Sequence, residues 1–312
     1  MSVRHAGWSA AAAALSLALA IASPGCAQPD GSASRSAPPS PALFVDCRGE
    51  RTAAPTVVLE SGAFGTSADW DFVEQDLAPG GRVCAYDRAG LGASAPTDRG
   101  LDPIARAHEL GDLLDALGEP GPVILVGHSN GALYVEAFAR LWPKRVAGLV
   151  LVNGVGSQDL DDPRLVADLD AERRWSKRSV VMARLGLAPL VADVLTGEEG
   201  LRGKAIAHKR AALTCHACLR VSRDEDALVV PGLAQVAALP PLDPAIPVAV
   251  ITGDPDPTWP LPSAWRKAEE APARTAQHGW VLDAPGATHV SPLARDRAYV
   301  DAAVGWLRAT YP

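Results

Sequence analysis

Short, continuous apolar runs alternate with amphipathic stretches along the chain from residue 43 onward. An uninterrupted apolar run is typical of a strand buried on both faces, whereas apolar residues at helical spacing predict a helix that packs on one side. Strands are predicted at Thr56–Glu60, Arg82–Tyr86, Val123–Val126, Ala147–Val152, Val248–Thr252 and Trp280–Asp283. An earlier pair, at Leu43–Cys47 and just after it, brings the expected total to eight strands.

Amphipathic segments between these strands predict helices at Trp70–Leu77, Pro103–Leu117, Gly131–Leu141 and Tyr299–Thr310. Buried strands that are separated by helices indicate an α/β fold, with a mostly parallel sheet covered by helices on both faces. Residues 155–240 interrupt the alternation and are rich in Asp, Arg, Leu and Ala. We interpret them as a helical cap inserted into a single domain over 43–312.

The first 42 residues follow a different pattern. A short positive region precedes the apolar run Ala10–Ala22. This run is too short to span a bilayer, which requires a helix of about 20 residues. Residues 1–26 therefore predict a secretory signal, with a buried N-terminal helix as the alternative. Cys26 also fits a bacterial lipoprotein signal, which would anchor the protein to a membrane by lipid, although the usual Leu three positions earlier is absent. The secretory and the lipoprotein interpretations both predict export. A Ser/Pro/Ala-rich linker over 27–42 follows the signal.

Composition and charge narrow the class of protein. The 312 residues are 48% hydrophobic and 21% charged, which excludes a wholly disordered chain, a coiled coil and a disulfide-dependent miniprotein. The net charge of -7 offers no basic surface for phosphate backbones, so we expect no nucleic-acid partner.

Four cysteines remain after the signal: Cys47, Cys84, Cys215 and Cys218. An even number in an exported chain predicts disulfide bonds, and three pairings are possible. Proximity favours Cys215 with Cys218, which leaves Cys47 with Cys84. Metal binding by this segment with His208 and His216 is disfavoured, since no second Cys-x-x-Cys pair follows. We expect neither a metal nor a cofactor.

The segment Gly127-His128-Ser129-Asn130-Gly131 lies between a predicted buried strand and a predicted helix. A sharp strand-to-helix turn of this kind lifts a serine hydroxyl out of the sheet, and its glycines relieve crowding. Ser129 is therefore the candidate nucleophile. An ordinary structural turn is the alternative.

A serine nucleophile requires a base, and His289 is the candidate among seven histidines. It follows the last predicted strand, at the sheet edge where active sites of open α/β sheets lie. His128 is expected to pack beneath the turn, and His278 precedes the last strand at the opposite edge. His208 and His216 belong to the predicted cap.

The loop after strand Val248–Thr252 supplies the candidate acid that orients His289. It contains Asp254 and Asp256, and the spacing from Gly253 favours Asp256, with Asp254 supporting the turn. The resulting chain order is Ser129, Asp256, His289, which is one of the known triad orders.

An oxyanion formed on a substrate carbonyl requires two backbone N–H donors. One is expected from Asn130, directly after the nucleophile. The other is expected from Ala63, within the glycine-containing loop of residues 60–65, where Phe64 is a candidate wall of the substrate pocket.

In these motifs and their order the chain resembles the α/β-hydrolase superfamily, particularly its esterase-like and proline-iminopeptidase-like members. The resemblance includes the segment 82–94, RVCAYDRAGLGAS, and covers nearly all of 43–312. The sequence departs from many members at Glu60-Ser61-Gly62, where they have His-Gly, and at Asn153, where many have an acidic residue. The second departure favours Asp256 as the acid.

The resemblance implies hydrolysis but leaves the substrate open. Relatives that open epoxides or remove halides use Asp as the nucleophile, so Ser129 favours acyl transfer from a small or medium carboxylic ester. An aminopeptidase of the proline-iminopeptidase type is the second hypothesis and would require a cap carboxylate, for which the candidates are Asp159, Asp161, Asp162, Glu198 and Glu199. Cofactor-free perhydrolase activity is third, and a non-catalytic ligand-binding protein is the alternative outside enzymes.

Overall fold

The computed structural model describes residues 42–119, 121–154, 156–157, 200–253 and 263–311, with a few positions between 174 and 187. The predicted signal and linker over 1–41 lie outside these residues. So do much of the first half of the cap and the loop 254–262. Residues 39–312 form one compact unit.

The described residues form one sheet of seven strands in the order β1-β3-β2-β4-β5-β6-β7. Strand β1 pairs with β3 antiparallel, and all the other neighbouring strands pair parallel. The central strands consist of continuous apolar runs because helices cover both of their faces. The strands are β1 (Val45–Arg48), β2 (Val57–Glu60), β3 (Val83–Tyr86), β4 (Val123–His128), β5 (Val146–Val152), β6 (Val248–Gly253) and β7 (Gly279–Ala284).

The prediction of eight strands is wrong by one in the part of the chain that the structure describes. No strand follows β1 directly, because the chain turns at Gly49, whose φ of 72° lies in the left-handed region. A Cβ at this position would lie 2.5 Å from the carbonyl oxygen of Ala78, so the turn also packs closely. The Thr52 hydroxyl then accepts a hydrogen bond from the Ala54 N–H at 3.1 Å, within irregular chain.

Helices cover the sheet on both faces. Helices α2, α3, α6 and α7 contribute to one hydrophobic cluster, together with side chains such as Leu125 and Leu149 from the sheet. Helices α1 and α8 contribute to the other cluster, with Leu59 and Val150. The helices are α1 (Asp71–Leu77), α2 (Pro103–Ala116), α3 (Asn130–Leu141), α4 (Gly203–Thr214), α5 (His216–Ala227), α6 (Val229–Ala237), α7 (Ser263–Thr275) and α8 (Ala298–Thr310).

Helices α4 to α6 lie within the segment predicted to be a cap. None of the helices in the described ranges is both long and apolar enough to cross a membrane.

Both cysteine pairs favoured by the sequence form disulfides. Cys47 and Cys84 face each other across the β1–β3 pair, with a Cα–Cα distance of 4.1 Å. Cys215 and Cys218 are bonded at the start of α5, with a Cα–Cα distance of 5.2 Å.

Candidate active site

Ser129 occupies a sharp turn between strand β4 and helix α3. Its backbone has φ 53° and ψ −123°, an unusual conformation for a residue with a side chain. Backbone hydrogen bonds hold it, because the Ser129 N–H donates to the carbonyl oxygen of Val152 at 3.0 Å and its own carbonyl accepts from Ala132 at 3.0 Å. This is the strand–turn–helix geometry expected of a nucleophile elbow.

The glycines on either side of Ser129 are required by close packing. A Cβ at Gly127 would lie 2.6 Å from the carbonyl oxygen of Gly131. A Cβ at Gly131 would lie 2.6 Å from the carbonyl oxygen of Glu60, at the end of β2. The G-x-S-x-G spacing is therefore explained by the approach of β2, β4 and α3 to one another at this turn.

His289 lies beside the elbow, in the loop that follows β7. His128 Nε2 and the side-chain amide of Asn153 both contact the His289 carbonyl oxygen, at 2.9 and 3.0 Å. The imidazole rings of His128 and His289 have centroids 4.8 Å apart. The structure thus brings the predicted base next to the turn that carries the predicted nucleophile, and it places His278 at the other end of β7, as the sequence indicates.

Both imidazoles are held in the neutral form. Burial lowers the pKa of His128 well below its ordinary value, so its Nε2–H donates to the His289 carbonyl. Desolvation by the surrounding protein atoms lowers the pKa of His289 to about 4, while the residue as a whole is exposed at the surface. A neutral imidazole at physiological pH is the form that can accept a proton from a serine hydroxyl.

The loop with the predicted acid begins at the end of β6, which pairs in parallel with β7. Asp254 and Asp256 themselves lie outside the described residues, so the choice of Asp256 stays a prediction. The Gly253 N–H donates to the Asn153 side-chain oxygen at 2.7 Å, and a Cβ at Gly253 would lie 2.6 Å from the carbonyl oxygen of Ala287. The last residue of β6 therefore lies in contact with both Asn153 and the histidine loop.

Asn153 connects the end of β6 to the histidine loop, a role that its sequence position alone did not reveal. Its amide nitrogen donates to the carbonyl oxygens of Thr288 and His289, and its amide oxygen accepts from Gly253. A carboxylate at this position has no N–H to donate to a carbonyl. The Asn at this strand end, where many relatives have an acidic residue, thus holds the histidine loop in place.

The loop of residues 60–65, here called the oxyanion loop, lies against the elbow. A Cβ at Gly62 would be 2.8 Å from the Ser129 Cβ and 2.9 Å from His128 Nδ1. Ala63 follows directly, and Asn130 is the first residue of α3, where N–H groups have no acceptor within the helix. The two predicted oxyanion donors therefore belong to two different chain segments, and these segments meet at Ser129.

Comparison with known proteins agrees with this geometry. The family model described as the alpha/beta hydrolase family matches residues 57–302, which is most of the chain. The chain belongs to the alpha/beta hydrolase family. Hydrolysis is accordingly the class of reaction that the comparisons support.

Individual relatives match this chain over shorter stretches or at lower identity. An AB hydrolase superfamily protein of Gibberella zeae is 35% identical over 117 residues, which is 35% of this chain and 36% of that protein. The chain thus aligns with little more than a third of that relative. An esterase from Thermogutta terrifontis has a TM-score of 0.61 at 24% identity, covering 86% of this chain and 94% of the other. An enol-lactonase from Burkholderia xenovorans has a TM-score of 0.58 at 21% identity, covering 85% and 96%.

A buried ionic network packs against the oxyanion loop, and the sequence did not predict it. Arg88 contacts Glu60 at 2.7 Å and the carbonyl oxygens of Ser61 and Gly62 at 2.5 and 2.9 Å. The other edge of its guanidinium binds Glu225 of α5 through two contacts of 2.9 Å. Arg88 lies within the motif at 82–94, but no local signal marked Glu225.

Ionisation of Glu225 is maintained by its partners. Burial alone would raise the pKa of this carboxyl, but the guanidinium groups of Arg88 and Arg106 outweigh the burial and hold the pKa below its ordinary value. Arg106 contacts Glu225 and Glu109, each at 2.7 Å. The next residue of α5, Asp226, accepts a hydrogen bond from the Asn130 side chain at 3.1 Å.

Helix α4 is joined to the core by two adjacent polar residues. His208 Nε2 lies 2.8 Å from an Asp87 carboxylate oxygen, and that hydrogen bond raises the pKa of His208. Lys209 Nζ lies 2.7 Å from Asp69 and 3.2 Å from the Phe64 carbonyl oxygen. The oxyanion loop thus contacts α4 through the Phe64 carbonyl oxygen.

Phe64, the predicted pocket wall, packs against Val180 and Leu219 of the cap segment. It also lines a small cavity with Leu91, Leu213 and other residues of α4 and α5. No cluster of three or more His, Cys, Asp or Glu side chains suited to a metal ion occurs within the described ranges.

Proposed function

We propose that this hydrolase is a serine esterase that cleaves a small or medium carboxylic ester through an acyl-enzyme intermediate. The observation that carries the proposal is the conformation of Ser129 on a glycine-flanked elbow, with the loop of His289 held beside it by His128 and Asn153. This arrangement combines a nucleophile with a neutral base, which is the minimal requirement for covalent acyl transfer.

In the first half-reaction the Ser129 Oγ attacks the ester carbonyl carbon while His289 accepts the hydroxyl proton. The tetrahedral oxyanion is stabilised by the N–H groups of Ala63 and Asn130. Collapse of this intermediate breaks the bond to the alkoxide oxygen, which takes the proton from His289 and leaves as an alcohol. Asp256 orients the imidazole and stabilises its protonated form.

In the second half-reaction water attacks the acyl carbon and gives a proton to His289. Collapse of the second intermediate breaks the bond to the Ser129 Oγ, which regains its proton from His289, and the carboxylic acid is released. Both half-reactions use the same base and the same oxyanion donors, so a single site is sufficient.

An ester is favoured over other bonds for two reasons. Serine rather than aspartate at the elbow supports attack on a carbonyl over opening of an epoxide. Two solved structures with the same fold are described as an esterase and an enol-lactonase. Both names denote cleavage of the single bond between an acyl carbon and an ester oxygen.

The test is a set of p-nitrophenyl esters of increasing acyl length, assayed beside aminoacyl arylamides and with fluorophosphonate labelling. We expect turnover of an ester and labelling of the wild type, with both lost in Ser129→Ala. His289→Ala should lower kcat by about three orders of magnitude or more. His278→Ala, at the opposite end of β7, is the matched control and should retain wild-type activity.

Labelling that persists in Ser129→Ala, or a wild type that neither reacts with the probe nor turns over esters, would refute the proposal. Preference for arylamides over esters would instead favour an aminopeptidase.

A further inference from the structure

We propose that Arg88 and Glu225 are positioning residues through which cap helix α5 sets the geometry of the oxyanion loop. This inference rests on the proposed function and deepens it, because it makes docking of the cap a condition for transition-state stabilisation. The juxtaposition behind it is a single guanidinium that binds the oxyanion loop on one edge and a cap carboxylate on the other.

The contact between Arg88 and the Gly62 carbonyl determines the direction of the neighbouring N–H. The Gly62 C=O and the Ala63 N–H belong to one planar trans peptide group and therefore point in opposite directions. Arg88 Nη2 binds this carbonyl oxygen at 2.9 Å, and the Gly65 N–H binds it at 3.1 Å. Holding the carbonyl towards Arg88 aims the Ala63 N–H away from Arg88.

The preceding peptide is held in the same way. Arg88 Nη1 contacts the Ser61 carbonyl oxygen at 2.5 Å, and this carbonyl shares a peptide plane with the Gly62 N–H. Gly62 itself is packed against Ser129 and His128, with no space for a side chain. Two consecutive peptide planes next to the nucleophile are thus oriented by one side chain.

The position of Arg88 depends in turn on the cap. Glu225 binds the Arg88 Nε and Nη2 in a bidentate arrangement, and both side chains are almost completely buried. A bidentate pair restricts the guanidinium in two directions, which a single contact does not. Glu60, on the core side, binds Arg88 through the single nitrogen Nη1, at 2.7 Å.

The other predicted oxyanion donor is also connected to helix α5. Asp226, the residue after Glu225, accepts a hydrogen bond from the side chain of Asn130, which is fully buried. Two consecutive residues of one helix are therefore connected to the two predicted donor segments, Asp226 directly to Asn130 and Glu225 to the oxyanion loop through Arg88. Arg106 and Glu109 form a second layer that holds Glu225 from α2.

The test compares Glu225→Gln and Arg88→Lys in the full chain with Glu136→Gln. Glu136 is an equally buried carboxylate that pairs with Arg140 at 2.6 Å and accepts a hydrogen bond from Ser157. Neither of these two partners belongs to the proposed site machinery, so Glu136 controls for the general cost of breaking a buried ion pair. Each variant is assayed for kcat and KM on the best ester, for melting temperature, and for affinity to an alkyl trifluoromethyl ketone. The serine adduct of that ketone carries an oxyanion.

We expect Glu225→Gln and Arg88→Lys to lower kcat by about tenfold to a hundredfold with KM changed little, because the donors act on the transition state more than on the bound ester. Affinity for the trifluoromethyl ketone should fall in parallel with kcat/KM. Glu136→Gln should keep kcat within about twofold, whatever its effect on melting temperature.

Wild-type kcat and ketone affinity in a folded Glu225→Gln or Arg88→Lys variant would overturn the inference. If Glu225→Gln does not fold, the result for Arg88→Lys, which keeps the buried positive charge, decides alone. If neither variant folds, the network is required for folding and the inference is likewise rejected. Retention of activity in Ser129→Ala is a separate outcome, which would refute the proposed function itself.

Discussion

Three residues near the candidate site adopt left-handed backbone conformations although none of them is glycine. Phe64, Ser129 and Asn153 have φ values of 57°, 53° and 44°. Conformations of this kind cost about 1–3 kcal/mol each and persist where the surrounding structure fixes them. All three follow the carboxyl ends of neighbouring strands, β2, β4 and β5, so the cost is concentrated at the sheet edge that carries the proposed chemistry.

The elbow glycines give a prediction at this scale. Gly131→Ala places a methyl group only 2.6 Å from the Glu60 carbonyl oxygen. This oxygen belongs to the backbone, which cannot move aside as a flexible side chain would. We expect the free energy of unfolding to fall by about 1–3 kcal/mol and ester turnover to fall with it. Urea denaturation and the ester assay measure the two effects.

Gly305→Ala in helix α8 is the matched control. Gly305 has no heavy atom within 4 Å of its hypothetical Cβ, and the substitution replaces a poor helix former with the best. It should raise the free energy of unfolding by about 0.5–1 kcal/mol. A Gly131→Ala variant as stable and as active as Gly305→Ala would contradict the steric explanation of the motif.

At the scale of elements, apolar periodicity was sufficient for the sheet and its main helices. The predicted strand Val248–Thr252 is observed as Val248–Gly253, and the predicted helix Pro103–Leu117 as Pro103–Ala116. Helix α7 was not predicted. Its Ala, Arg, Lys and Glu residues favour a helix, but it has few large apolar residues to mark a buried face, and Pro272 lies inside it. Ala268 and Ala273 pack into the hydrophobic cluster on this face of the sheet.

The two disulfides differ in the length of chain they close, which gives a prediction about elements. Cys47 and Cys84 are separated by 37 positions and join β1 to β3, whereas Cys215 and Cys218 are separated by 3 within the start of one helix. Loop entropy predicts a loss of about 4 kcal/mol for the Cys47→Ala/Cys84→Ala variant and about 2 kcal/mol for Cys215→Ala/Cys218→Ala.

Equilibrium urea unfolding of the two double variants beside the wild type provides the comparison. Because the strands β1 and β3 also pair through backbone hydrogen bonds, the first variant should remain folded at room temperature. Equal losses in the two variants, or a larger loss at the helix start, would show that effects other than loop length dominate.

At the scale of the whole molecule, the contacts that the sequence did not reveal join distant segments. Arg88 and Glu225 are separated by 137 positions, and Asn130 and Asp226 by 96. Periodicity and motif spacing describe neighbours along the chain, so the succession of strands and helices and the G-x-S-x-G motif follow from them. Pairing between the predicted cap and the core depends on how that segment packs, and one sequence holds no local signal for that. The predicted acid is the opposite case, since the sequence favours Asp256 over Asp254 while both lie outside the described residues.

Docking of helix α4 on the core gives a prediction about stability and pH. His208 binds Asp87, which raises the pKa of the imidazole above that of the unfolded chain, while Asp69 and Lys209 also act on it electrostatically. Phe44 packs on its ring. Because the folded state binds the proton more tightly, the stabilisation is fully present below the unfolded pKa of about 6.5 and is lost as the pH rises through the folded value.

Wild-type protein should therefore lose a few degrees of melting temperature between about pH 6 and about pH 9 that His208→Gln does not lose. His128 acts in the opposite direction, because burial lowers its pKa and so reduces stability as the pH falls below about 6.5. The two effects are separable, since His208→Gln removes only the alkaline one. Thermal unfolding of both proteins across this pH range measures the difference, and parallel curves on the alkaline side would show that the His208–Asp87 pair does not hold the cap.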